Sequence, residues 1–258
     1  MAKLLFLTGA SSGLGQALAW RFYQAGYSLA LAARRTEDIE AWAALHGLAA
    51  DRYRVYRADV SVIDSIVAAA QACLASQGVP DVVLACAGIS VGVDTRQRTD
   101  LDVMAATFAT NNIGTAATFH PFVEPMCRRG TGTLVGIGSV NGIRGFAGHG
   151  ANCPSKAALI SYCECLRLEL RGSGVRVVTI SPGYIDTPLT RKNTYGMPFL
   201  MPAERFAEQA FTAIEANTSY RVIPWQMGWL AKLLRILPNW LFDRAFAGRA
   251  RKPRSPTS

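Results

Sequence analysis

Short apolar runs alternate with longer amphipathic ones along the first 180 residues of the chain. Leu4–Thr8 is followed by an amphipathic stretch over 13–25, Ser28–Ala33 by one over 37–45, and Tyr53–Arg57 by one over 62–76. That alternation predicts βαβαβ. It continues through a strand over 81–86, a helical stretch over about 100–128, a strand over 133–138, a helix over about 152–171 and a strand over 175–181. Such an order predicts an α/β domain: one doubly wound parallel sheet with helices on both faces, and ligands at the carboxyl ends of the strands. Beyond Ser181 the pattern loosens, because Pro182, Pro188, Pro198 and Pro202 interrupt regular structure until a helix over about 203–216. Residues 190–216 are therefore expected to form a substrate-covering loop and helix. A last short strand over 220–224 precedes two apolar stretches, 227–237 and 239–246, parted by Pro238. No internal repeat or linker divides the chain, so a single domain over 1–250 is expected, with a basic, disordered tail over 251–258.

Composition agrees with a buried sheet: half of the 258 residues are hydrophobic and 17% are charged. The six cysteines are scattered without paired ligand spacing, so reduced thiols and no metal site are expected. Met1-Ala2-Lys3 leads straight into the first strand, and no uncharged apolar run is long enough to span a bilayer, which reads as a cytoplasmic soluble protein. The net charge of +9 invites a nucleic-acid partner. Much of the excess, however, lies in Arg244, Arg249, Arg251, Lys252 and Arg254, and no basic groove interleaved with stacking aromatics accompanies them, so no nucleic-acid role is expected.

Candidate chemistry begins directly after the first strand, at Thr8-Gly9-Ala10-Ser11-Ser12-Gly13-Leu14-Gly15, which runs at once into a helix. Glycines there let the backbone approach a pyrophosphate, and the helix N-terminus offers unpaired N–H groups and a positive dipole end. The spacing Thr8-Gly9-x-x-x-Gly13-x-Gly15 resembles the classical short-chain dehydrogenase/reductases, and the resemblance extends from Lys3 to about Thr187. It implies a Rossmann-type sheet holding a dinucleotide, with Gly9, Ser11, Ser12, Gly13, Leu14 and Gly15 around the phosphates. At the end of the second strand stand Arg34 and Arg35 rather than a carboxylate. Planar, permanently charged guanidinium groups suit a ribose phosphate, so NADP(H) is the expected cofactor. Asp59 and Val60 are similar to the family's adenine contact, although an Asp after a strand also serves as a helix cap. Ala87 and Gly88 match the close backbone approach after the fourth strand, but Cys86 stands where the family usually has Asn.

Carbonyl reduction needs a proton donor at the forming alkoxide, a group that lowers the donor's pKa and a group that orients the carbonyl. By resemblance, Asn111 helps organise the proton relay, Ser139 orients the substrate, and Lys156 binds the nicotinamide ribose and lowers the pKa of a tyrosine four residues earlier. That tyrosine position carries Asn152. An amide has no proton to release near neutral pH, so the expected scaffold is an impaired one. Three explanations stand: an engineered variant, a natural member that lost or changed its chemistry, or another acid in the tyrosine's place, for which His149 and Tyr184 are nearest in sequence. Cys86 favours divergence; the retained Asn111, Ser139 and Lys156 favour a working reductase. Pro182, Gly183, Ile185 and Thr187 resemble the segment that contacts the nicotinamide carboxamide and fixes the ring face. The competing class is a non-catalytic NADP(H) sensor or assembly subunit.

The amphipathic segment 225–247 is rich in Trp, Leu, Ile and Phe with interspersed cations. It either covers the substrate pocket or a subunit contact, or rests peripherally on a membrane, and all three suggest an apolar carbonyl or alcohol substrate. The family resemblance implies a homodimer or homotetramer through the helices at about 100–128 and 152–171.

Overall fold

The computed structural model describes residues 2–191, 193, 196–248 and 250–254. Strand β1 (Leu4–Thr8) is apolar nearly throughout and buried at every position, as a strand covered on both faces must be. Its alternation sends Leu5 and Leu7 into one core and Leu4 and Phe6 into the other. After it come α1 (Gly13–Gln24), β2 (Ser28–Ala33), α2 (Thr36–Leu45), β3 (Tyr53–Arg57), α3 (Ile63–Gln77) and β4 (Val82–Ala85). The second half supplies α4 (Thr99–Phe108), α5 (Gly114–Arg129), β5 (Gly132–Ile137), α6 (Asn152–Glu169) and β6 (Val175–Pro182). Then come β7 (Ile185–Asp186), β8 (Met201–Pro202), α7 (Ala203–Glu215), β9 (Tyr220–Ile223), α8 (Trp225–Ile236) and α9 (Asn239–Phe246).

The described residues form a seven-stranded sheet in the order β3-β2-β1-β4-β5-β6-β9, parallel throughout. Helices α1, α2 and α7 bury Phe22, Ile39 and Phe206 against one face, and α3, α5 and α6 bury Ile66, Phe122 and Leu159 against the other. Burying each such side chain stabilises the fold by about 1.5–3 kcal/mol. The chain leaves β1 toward β2 on one side and later returns to β4 on the other. Between the carboxyl ends of β1 and β4 this reversal opens the crevice in which doubly wound sheets bind ligands.

Three local expectations change. The stretch expected as one helix over 100–128 is broken at Ala109–Ile113 by a turn of π-helix, whose extra residue turns Asn111 into the core. The proline-rich stretch after β6 is not wholly irregular, since β7 and β8 pair in parallel and Arg191 binds Asp186 through two nitrogens at 2.7 and 3.2 Å. The expected disorder of the basic tail is corrected over 251–254. There Arg254 donates two 2.7 Å bonds to the buried carboxylate of Asp100, and the Pro253 carbonyl accepts from Gly92 N at 3.0 Å. Residues 255–258 lie outside the described residues.

Candidate active site

A cavity of about 820 Å³ runs along the carboxyl ends of β1, β2, β4, β5 and β6. At one end the turn from β1 into α1 forms its floor. Gly9 has φ +76, and a Cβ there would lie 2.8 Å from the Ala87 backbone, so only glycine lets this turn seat against the end of β4. A Cβ on Gly15 would lie 2.1 Å from the Gly9 carbonyl oxygen, which closes the turn onto the first helical residues. The side chain of Ser12, at the N-cap of α1, makes no capping bond. The first N–H groups of α1 are thus left to face the cavity with the positive end of the helix dipole, a cradle suited to a pyrophosphate.

Arg34 and Arg35 stand at the rim beyond β2. Arg34 lies 3.7 Å from Asp59, and Arg35 binds Asp38 at 2.5 Å and reaches Ser11 Oγ at 3.5 Å. Burial alone would raise the Asp59 pKa, but bonds from the Ser61 hydroxyl (2.6 Å) and N–H (2.9 Å), with the charge of Arg34, outweigh it and hold the carboxyl below its ordinary value. Among the described lining residues Asp59 is the one carboxylate, against the cations Arg34, Arg35, Lys156 and Lys252. The cavity therefore favours a polyanion.

The opposite end gathers Ser139, Asn152 and Lys156. Ser139 follows β5 and caps the short 3₁₀ turn Val140–Gly142, its Oγ accepting from Asn141 N at 3.1 Å. Asn152 and Lys156 lie one turn apart on α6, a spacing that puts both on one helix face. Lys156 Nζ donates to the Ile137 carbonyl at 2.8 Å. Burial pulls its pKa down to about 8, while the neighbouring Cys86 thiol is itself pushed up to about 12 by burial and stays neutral. Asn111 does not line the cavity but braces its wall: Oδ1 accepts from Ile89 N at 2.9 Å, and Nδ2 donates to the Ile89 carbonyl and to Ser155 Oγ, each at 3.0 Å. It thereby ties the loop after β4 to α6. The other residues expected to hold the cofactor line the cavity: the turn from Gly9 to Gly15 apart from Ala10, Val60, Ala87, Gly88, and the 182–187 segment with Pro182, Gly183, Ile185 and Thr187.

Of the two acids nearest Asn152 in sequence, Tyr184 lines the cavity. His149 lines a neighbouring chamber. Burial and the charge of Lys252 pull His149 down to about 4, so at pH 7 it is neutral and a poor proton donor.

Two features were missed by sequence reasoning. The first is Lys252, which the folded-back tail inserts into the cavity wall, Nζ donating to Ser90 Oγ at 2.6 Å. Its charge read as solvated, and the pairing that pins the tail joins Arg254 to Asp100 across 154 positions, beyond any local pattern. The second is the chamber itself, about 870 Å³, sharing Val140, Asn141 and Tyr184 with the first cavity and walled by Ile143, Met227, Leu230 and Leu234. The apolar run over 227–237 was its only signal.

Residues 3–197 match the short chain dehydrogenase family. An uncharacterized oxidoreductase of Myxococcus xanthus is 36% identical over 243 residues, which cover 94% of this chain and 96% of that protein. A short chain dehydrogenase/reductase from Burkholderia phymatum, solved in complex with NAD, superimposes with a TM-score of 0.80 at 22% identity, covering 100% of this chain and 98% of the other. An alcohol dehydrogenase from the archaeon Thermococcus sibiricus, complexed with 5-hydroxy-NADP, gives 0.76 at 24% identity, covering 86% and 95%. With the glycine turn, the parallel sheet and the cleft at its switch point in place, the chain belongs to the short-chain dehydrogenase family of oxidoreductases.

Proposed function

We propose that the chain is an NADP(H)-dependent carbonyl reductase or alcohol dehydrogenase scaffold whose turnover is held low by Asn152 at the tyrosine position. The observation that carries this reading is one continuous cavity with an uncapped helix N-terminus at one end and Ser139 with Lys156 at the other. The residues fit the dinucleotide: the glycine turn closes tightly on the Ala87 backbone and on itself and so presents the uncapped start of α1 to the cavity, and among the described lining residues cations outnumber the single carboxylate. Arg34 and Arg35 would hold the ribose phosphate, Asp59 and Val60 the adenine, and the 182–187 segment the carboxamide, with Thr187 supplying a hydroxyl. When bound, the nicotinamide supplies or accepts a hydride. Ser139 orients the carbonyl, Lys156 holds the ribose, and Asn111 keeps the loop after β4 in register with α6. Asn152 donates a hydrogen bond to the substrate oxygen but no proton. The apolar chamber beside Ser139 suits the body of an apolar carbonyl compound. Exposed Leu101, Ile113 and Leu168 on α4, the π turn and α6 support a homodimer or homotetramer through those elements.

Titration of the chain with NADPH and NADH tests the cofactor reading. NADPH is expected to bind at least about tenfold tighter, from charge-assisted contacts to the extra phosphate; equal affinity, or no binding of either, overturns it.

The Lys156 ammonium is the form that best holds ribose hydroxyls, and with its pKa at about 8 it is lost as pH rises through that value. The NADPH dissociation constant is therefore expected to rise between pH 7 and 9.5, by up to about tenfold per pH unit. The Lys156→Met variant should bind more weakly with a flat profile over the same range. A sloping profile in that variant would remove Lys156 as the titrating group.

A further inference from the structure

Helix α8 carries apolar side chains on two opposite sides, and one of them is left exposed by the described residues. Met227, Leu230, Ala231 and Leu234 project toward the chamber beside the cleft. On the other side Trp225, Trp229, Leu233 and Ile236 recur at helical spacing and are 61, 68, 55 and 76% exposed. The apolar exposure continues on α9 with Trp240 at 70%. An amphipathic surface helix of a soluble fold puts polar residues on its outer side, whereas the outer side of α8 carries two indoles and two aliphatic side chains. Exposed patches of this kind mark interaction surfaces.

The chemistry of the patch selects its partner. Three of the chain's five tryptophans are exposed here, and indole is the side chain most at home where hydrocarbon meets headgroups. Lys232 sits on the same strip, its Nζ 5.5 Å from the Trp229 ring, with Arg235 on α8 and Arg244 on α9 also exposed. None of the three is in an ion pair among the described residues. Helix α8 carries no carboxylate, and Asp243 is the one on α9. Unpaired cations interleaved with indoles complement anionic headgroups above an acyl phase. No helix among the described residues is long and apolar enough to cross a membrane, so the contact is one of lying on the surface.

We infer that the outer face of α8, extended by Trp240, docks the protein onto the surface of an anionic lipid bilayer, which leaves the apolar chamber one helix thickness from the lipid. This goes beyond the reductase reading and does not depend on it.

The full chain is mixed with vesicles of phosphatidylcholine alone and with vesicles containing 30% phosphatidylglycerol, and sedimented. The expected result is binding to the anionic vesicles at least tenfold tighter than to the neutral ones, weakened by 0.5 M salt, with a blue shift of tryptophan emission. The triple variant Trp225→Ser, Trp229→Ser, Ile236→Ser should lose at least tenfold in vesicle affinity. These side chains are exposed, so the far-UV circular dichroism and thermal midpoint of the variant should match the parent's, which shows that it is folded. No binding to either vesicle, or equal binding by the triple variant, overturns the proposal. So does a parent that ignores vesicles but self-associates in a sedimentation experiment while the triple variant does not; that result assigns the face to a second copy of the chain.

Discussion

Replacing Asn152 by tyrosine is expected to raise NADPH-dependent reduction of apolar aldehydes and ketones by about 10²- to 10⁴-fold, the range contributed by a positioned general acid. The residues proposed for the reaction end are already held in place. Ser139 is held by its cap on the 3₁₀ turn, Lys156 by the Ile137 carbonyl, and the wall behind them by the three bonds of Asn111. A phenol at position 152 would project from the same face of α6 as Lys156, into a cavity of about 820 Å³ that has room for the larger ring. The nearby ammonium would lower the phenol's pKa and keep its proton available at neutral pH. The check is NADPH oxidation by parent and variant across a panel of carbonyl compounds, with NADPH affinity measured in parallel. A variant that binds NADPH as the parent does and still turns nothing over would transfer the chain to the competing class, a non-catalytic NADP(H) sensor or assembly subunit.

How far the sequence reaches can be read from particular residues. The βαβ rhythm and the Gly9, Gly13, Gly15 spacing locate the cleft because both are local: a turn, a helix start and a strand periodicity are written in neighbouring positions. Asn152 is conspicuous for the same reason, standing four residues before Lys156. What stayed hidden depends on distant partners. The π turn at Ala109–Ile113 has no propensity signature; it exists because Asn111 bonds to Ile89 and Ser155, 22 and 44 positions away. The tail over 251–254 looks like a solvated run of charge until Asp100 is seen to be buried and waiting for a cation. Gly92 completes that docking: a Cβ there would lie 2.2 Å from the Lys252 carbonyl oxygen, so the tail can lie flat only over glycine. The apolar stretch over 225–247 could be assigned to a pocket or to a membrane from its composition. In the fold one side of α8 walls a chamber and the other faces outward.

Removing Arg34 and Arg35 together is expected to weaken NADPH binding by about 30- to 100-fold while changing NADH binding less than about threefold. Each guanidinium can give a charge-assisted fork to the ribose phosphate, but both side chains are more than half exposed, and solvent screening reduces each contribution to about tenfold or somewhat less. The fold should not suffer, because the pairs these residues make with Asp59 and Asp38 are themselves exposed and such pairs contribute little. Asp38 sharpens the test: it holds Arg35 at 2.5 Å in a bond that a phosphate would have to displace. Asp38→Asn removes that competition and should tighten NADPH a few-fold without affecting NADH. Titrations of parent, Arg34→Ala/Arg35→Ala and Asp38→Asn with both nucleotides decide the matter. Equal losses for NADPH and NADH in the double variant would mean that the two arginines shape the rim of the cleft rather than read the phosphate, and the preference for NADP(H) would then have to be withdrawn.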